Sequence, residues 1–138
     1  MTFDVLSEIN YLAAVVAALA YFAIGALWYS PVLFSKPWQR AIGMQPQEAQ
    51  SPNPLLFVLT AVAYFVQAVT LGALARATGG TDLMDGLVLG LFVAIGIVAM
   101  GLWVNVSYEQ RAASLLWINA GNALVGIVVM SIIMTVWD

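Results

Sequence analysis

Four long apolar runs, at about residues 9–29, 55–75, 86–107 and 113–137, decide what this chain can become. At a rise of 1.5 Å per residue, roughly 20 helical residues cross the roughly 30 Å hydrocarbon layer of a bilayer, so each run is long enough to span it. Within lipid every backbone amide and carbonyl must be bonded internally, which an α-helix does by itself. A soluble domain this small buries only about two thirds of the surface its unfolded chain exposes. That leaves nowhere to hide a composition that is 63% hydrophobic and 8% charged. The expected fold is all-α: one domain over residues 1–138, an integral membrane four-helix bundle with a short interfacial amphipathic helix between its first and second spans.

Composition also removes function classes. The chain carries seven acids against four bases, with no basic cluster, so nucleic-acid binding is not expected. It contains no cysteine and no histidine. Disulfides, thiolate nucleophiles, zinc sites, histidine-ligated haem and the usual general base near neutral pH go with them, and no cofactor is expected. Asp4 and Glu8 stand where a secretory signal carries Lys or Arg, and the run that follows exceeds a signal's apolar core, so it reads as a retained span.

Local signals place the boundaries. Asp4, Ser7 and Glu8 are expected to cap the first span, and Ala13, Ala14, Ala17 and Ala18 give it a small-residue packing face. Trp28 and Tyr29 suit the headgroup level, while Pro31 pushes Ser30 out of helical geometry. From Lys36 to Met44 the pattern is amphipathic, with Trp38, Ile42 and Met44 on lipid and Lys36, Gln39 and Arg40 in water. The polar, proline-rich stretch Gln45 to Pro54 is a connection, and Pro54 opens the second span. Arg76, Thr78, Gly79 and Gly80 close it. Thr81 or Asp82 caps the third span, with Asp85 in its first turn and Gly86, Gly90 and Ala94 as a second small-residue stripe. The turn at Glu109, Gln110 and Arg111 is so short that the third and fourth spans should be antiparallel neighbours. Ser131 and Thr135 are expected to bond carbonyls one turn back.

Charge then orients the bundle. Lys36, Arg40 and Arg111 fall on one side and Arg76 on the other, so the loops 31–53 and 108–112 are expected to be cytoplasmic, in the inner (plasma) membrane, with both termini outside. Trp28, Tyr29, Trp38, Trp103 and Trp117 form the aromatic belt on that side.

The run Ala26-Leu27-Trp28-Tyr29-Ser30-Pro31-Val32-Leu33-Phe34, followed by Lys36, Trp38 and Arg40, resembles the DUF1761 family of membrane proteins. Tyr108-Glu109-Gln110-Arg111 and Leu116-Trp117-Ile118-Asn119-Ala120-Gly121 are similar to that family's aromatic-Glu-x-Arg turn and its Ile-Asn-Ala-Gly segment. The resemblance implies a four-helix membrane protein and no particular activity. The proline- and glutamine-rich linker after Met44 departs from the family pattern.

No nucleophile has a base or paired acid placed beside it, so no catalytic residue is assigned and the chain is not expected to be an enzyme. No carboxylate lies within a span, which disfavours proton-coupled export. The polar residues left are Gln67, which should face the bundle or another subunit, with Asn105, Asn119 and Asn122. The asparagines either serve as interhelical glue or line a polar pocket closed by Trp28, Tyr29, Trp103 and Trp117, which Gln67 and Tyr64 would extend. The leading reading is a homo-oligomer, or an accessory subunit of a membrane complex, acting through helix packing in the lipid bilayer. The alternative is a small transporter or channel for a neutral or weakly polar solute.

Overall fold

A computed structural model describes residues 1–43 and 53–137. A 3₁₀ turn at Phe3–Glu8 precedes α1 (Tyr11–Trp28), and α2 (Ser35–Ile42) folds back over its end. Then come α3 (Pro54–Ala77), α4 (Leu83–Val93), α5 (Met100–Glu109) and α6 (Ala113–Val136), with no strand among the described residues. α4 and α5 are two parts of one span, joined by a π-helical segment at Ala94–Ala99. Four helices, Tyr11–Trp28, Pro54–Ala77, Leu83–Glu109 and Ala113–Val136, are long and apolar enough to cross a membrane. Their bounds lie within three residues of the expected ones.

The caps explain the bounds. α1 does not start on Asp4, Ser7 or Glu8, as expected; those residues belong to the 3₁₀ turn, and Asn10 Oδ1 accepts from the Ala13 amide at 3.1 Å. Asn53 caps α3 through the Leu55 amide, with Pro54 in its first turn. Asp82 and Asp85 form a reciprocal capping box on α4, as their spacing predicts. Gly79, at φ 75°, takes the left-handed geometry that ends the turn after α3.

α6 is the hub, packed against α1, α3, α4 and α5 and touched by α2. Small residues let it be so. Ala13, Ala14, Ala17 and Ala18 are all buried on α1, the face the sequence predicts. On α4 a Cβ added at Gly86 would sit 2.7 Å from the Ile132 Cα, and one at Gly90 2.8 Å from the Val128 Cα. The two backbones touch, and Ser131 Oγ donates to the Gly86 carbonyl at 2.8 Å instead of bonding one turn back. Thr135 does bond back, to Ser131.

The third span departs from the single regular helix expected. Its π segment shifts the helical phase, and α5 has no buried residue, whereas Gly86, Gly90 and Ala94 before it are buried. At the same end of the bundle, the first turns of α3, Leu55 to Leu59, are exposed. α2 keeps Lys36 and Arg40 exposed, but Gln39 is half-buried and bonded to Ser35, and Trp38 is half-buried with its ring against Tyr29. Met44 and the linker to Pro52 lie outside the described residues.

Candidate functional site

The α1 and α6 helices run antiparallel and meet in three layers in which a large side chain faces a small or polar one. At the α2 end, the Tyr29 hydroxyl donates to Asn119 Oδ1 at 2.6 Å. One turn deeper, Gly25 faces Asn122: a Cβ added at Gly25 would stand 3.9 Å from Asn122 Oδ1 and 3.7 Å from the Tyr64 hydroxyl. Another turn in, the buried Tyr21 ring lies flat on Gly126, where any Cβ would overlap it, and stacks on Tyr64 with centroids 4.0 Å apart. Helix geometry produces this register. Tyr21, Gly25 and Tyr29 are spaced by four, and Asn119, Asn122 and Gly126 by three and four, so each set shares one helix face.

Trp28 closes the neighbouring side. Its indole Nε1 donates to the Ile118 carbonyl at 2.9 Å, and its ring fills the place of the side chain that Gly121 lacks. Phe34 packs on the Trp28 ring and Trp38 on the Tyr29 ring, at 4.8 and 5.4 Å between centroids.

Between α1 and α3, beneath α2, lies a cavity of about 520 Å³. Phe22, Tyr29, Trp38, Phe57 and Tyr64 wall it with aromatic rings, and Gly25 forms part of its floor. Thr60 also reaches it, with its hydroxyl donating to the Leu56 carbonyl. Behind Gly25 sits the least satisfied polar group of the interior. Asn122 is 5% exposed and its amide interacts with the Tyr29 and Tyr64 hydroxyls, yet its Oδ1 is buried with no hydrogen-bond partner. Such orphaned acceptors are rare, because each gives up its bond to water for nothing.

The structure therefore brings together part of the expected constellation. Asn119 and Asn122 share a face with Trp28 and Tyr29 against it, as the spacing predicts. Asn105 does not join them, since it is exposed on α5. Trp103 and Trp117 close nothing; they are 54% and 74% exposed. Gln67 is exposed on α3 and lines a separate cleft of about 140 Å³ with Thr70, Leu71, Val93, Val98 and Ile127. It is not part of an asparagine-lined path. Glu109 and Arg111 pair at 2.7 Å in the exposed turn, where such a pair contributes on the order of 0–1 kcal/mol. Sequence reasoning missed Gly25 and Tyr21. The Tyr-x-x-x-Gly-x-x-x-Tyr spacing of residues 21–29 was the signal that could have found them.

Comparison with curated proteins and with solved structures finds no match. A family model matches residues 12–135, from the first turn of α1 to the last of α6, and so covers both motifs that suggested the resemblance. The chain belongs to the family described as "Protein of unknown function (DUF1761)".

Proposed function

We propose that this chain is a non-enzymatic packing subunit of the membrane, which assembles with copies of itself or with other membrane subunits through the face of α3 that carries Gln67. The observation that carries this reading is the position of Gln67 near the middle of a span, exposed and without a hydrogen bond among the described residues. An amide in hydrocarbon costs several kcal/mol per unmet polar group on transfer scales, so a partner helix that bonds it gains what lipid cannot give. Interhelical bonds of this kind contribute about 0.6–2 kcal/mol each. Exposed Thr70, three residues on, has its hydroxyl turned back to the Val66 carbonyl, so Gln67 is the group on that face with capacity to spare.

Cross-linking the protein in mild detergent and in vesicles tests the reading. The wild type is expected to yield a discrete oligomer or a co-purifying subunit, and Gln67→Leu to lower its yield at equal protein. A wild type that stays monomeric without a partner under both conditions overturns it. Transport of a neutral solute is the second reading, favoured by the buried Asn122 Oδ1, which has no hydrogen-bond partner. A flux assay in vesicles in which Asn122→Leu and Asn119→Leu leave flux unchanged removes it.

The same proposal puts the protein in the inner (plasma) membrane with residues 31–53 and 108–112 cytoplasmic and both termini outside. The chain has no cysteine, so Ser51→Cys gives one label site. Membrane-impermeant maleimide should reach it in inside-out vesicles and not in intact cells.

A further inference from the structure

On the basis of assembly through the α3 face that carries Gln67, we propose that the partner is a second copy of this chain. The two copies stand face to face about a two-fold axis along the membrane normal, and their Gln67 amides bond each other. A side-chain amide carries both a donor and an acceptor, so two of them at one depth satisfy each other and need no second protein.

Depth decides how copies can meet. The excess of Lys36, Arg40 and Arg111 over Arg76 gives every copy the same expected orientation. By helical rise, Gln67 lies roughly 20 Å from the start of α3, while the exposed amide of Asn105 lies roughly 6 Å from the end of the third span on that side, so the two amides do not meet. The cleft beside Gln67 holds Val93, Val98 and Ile127 at its level, and the ring contact of Tyr11 with Phe65 brings the first half of α1 there. The outward side chains at that level are apolar: Val15 and Val16 on α1, Ile95 and Ile97 on the third span, and Val125 on α6. A head-to-tail assembly would lay Gln67 on one of these faces and leave its amide with no side-chain partner. A two-fold pairing sets it against an amide.

The neighbours of Gln67 admit such a pairing. Ala63 and Thr70, four residues before and three after, lie on the same stripe of α3, are exposed, and are short enough for two backbones to approach. The Thr70 hydroxyl donates to the Val66 carbonyl at 2.9 Å and so does not compete for the amide. One polar residue in an otherwise apolar seam fixes register and stoichiometry, as a single amide does in a coiled coil.

The chain has no cysteine, so one introduced residue reports one contact. In oxidised vesicles at low protein-to-lipid ratio, Ala63→Cys and Thr70→Cys should each give a disulfide-linked dimer and nothing larger, at least about fivefold more than Val62→Cys or Val15→Cys. When copies with two tag lengths are produced together, a band of intermediate mass identifies the partner as this chain. Gln67→Leu added to Ala63→Cys should lower the dimer yield at least about threefold. A wild type that stays monomeric without a partner removes the assembly itself. An assembly in which Ala63→Cys and Thr70→Cys link only to Val15→Cys or Ile97→Cys of another copy, or only to a different subunit, leaves assembly standing and overturns the two-fold pairing. An unchanged dimer yield in Gln67→Leu overturns it as well.

Discussion

Gly126 and Gly25 lie one above the other's layer on the α1–α6 interface, and a single methyl at each has opposite consequences. At Gly126 the Cβ overlaps the Tyr21 ring, which cannot retreat because Tyr64 is stacked on its other face. Alanine gains about 1 kcal/mol in helix propensity there, but overpacking of a closed site costs about 1–3 kcal/mol, and with both faces of the ring covered the second effect wins. Gly126→Ala should therefore lower the melting temperature in detergent. Gly25→Ala, with nothing nearer than 3.7 Å, should hold or raise it. If both variants shifted the same way, the register of the two helices would be wrong. Tyr29→Phe leaves Asn119 Oδ1 without its donor, at a cost of about 0.5–1.5 kcal/mol, and is expected to destabilise less than Gly126→Ala in the same melts. Gln110 holds φ 55° in the turn between α5 and α6, a conformation that costs a side-chain-bearing residue about 1–2 kcal/mol, so Gln110→Gly should raise the melting temperature.

At the scale of elements, α4 and α6 make the closest approach of the bundle, and Gly86 and Gly90 set its distance. Added methyls there meet backbone Cα atoms, which cannot rotate away, so each alanine pushes the helices apart. Once Gly86→Ala has separated them, the contact at Gly90 one turn on is already partly lost. The double variant should thus lose less stability than the sum of the singles, whereas Gly96→Ala and Gly101→Ala, which face open space, should be neutral or stabilising. Melting temperatures of the four variants and the double check this. Much at this scale was legible in the sequence. The span bounds follow from run length and from caps such as Asp82, and the packing faces follow from alanines and glycines four apart. Two things were not legible, for physical reasons. Lipid is as apolar as the core, so a helix such as α3 carries little sidedness to read, and of the two places expected for Gln67, the bundle interior or a face toward another subunit, the structure excludes the first by leaving it exposed. The π segment at Ala94–Ala99 lies in a stretch of small and branched apolar residues that would fit an α-helix equally well, so nothing in its composition marks the change of phase.

For the molecule as a whole, the organisation is radial: α6 packs against α1, α3, α4 and α5, while α1 leans on α3 and α3 on α4 more lightly than α4 does on α6. Membrane helices are individually stable before they associate, so removing the hub should leave three inserted spans with a vacant centre rather than an unfolded chain. That gives a prediction about assembly. Residues 1–110 and a separate peptide of residues 111–138, produced together, should associate and co-purify, because the turn between α5 and α6 contributes little to what holds α6 in place: an exposed ion pair, the Arg111 amide bond to the Val106 carbonyl and a strained residue. The association should depend on the three layers along α1 and on the α4 contact. Gly126→Ala or Gly86→Ala in the respective pieces should reduce recovery of the complex, and Gly101→Ala should not. Equal recovery across these variants would mean that the fragments meet through general apolar affinity, and that the Tyr21, Gly25 and Tyr29 register does not direct the fold.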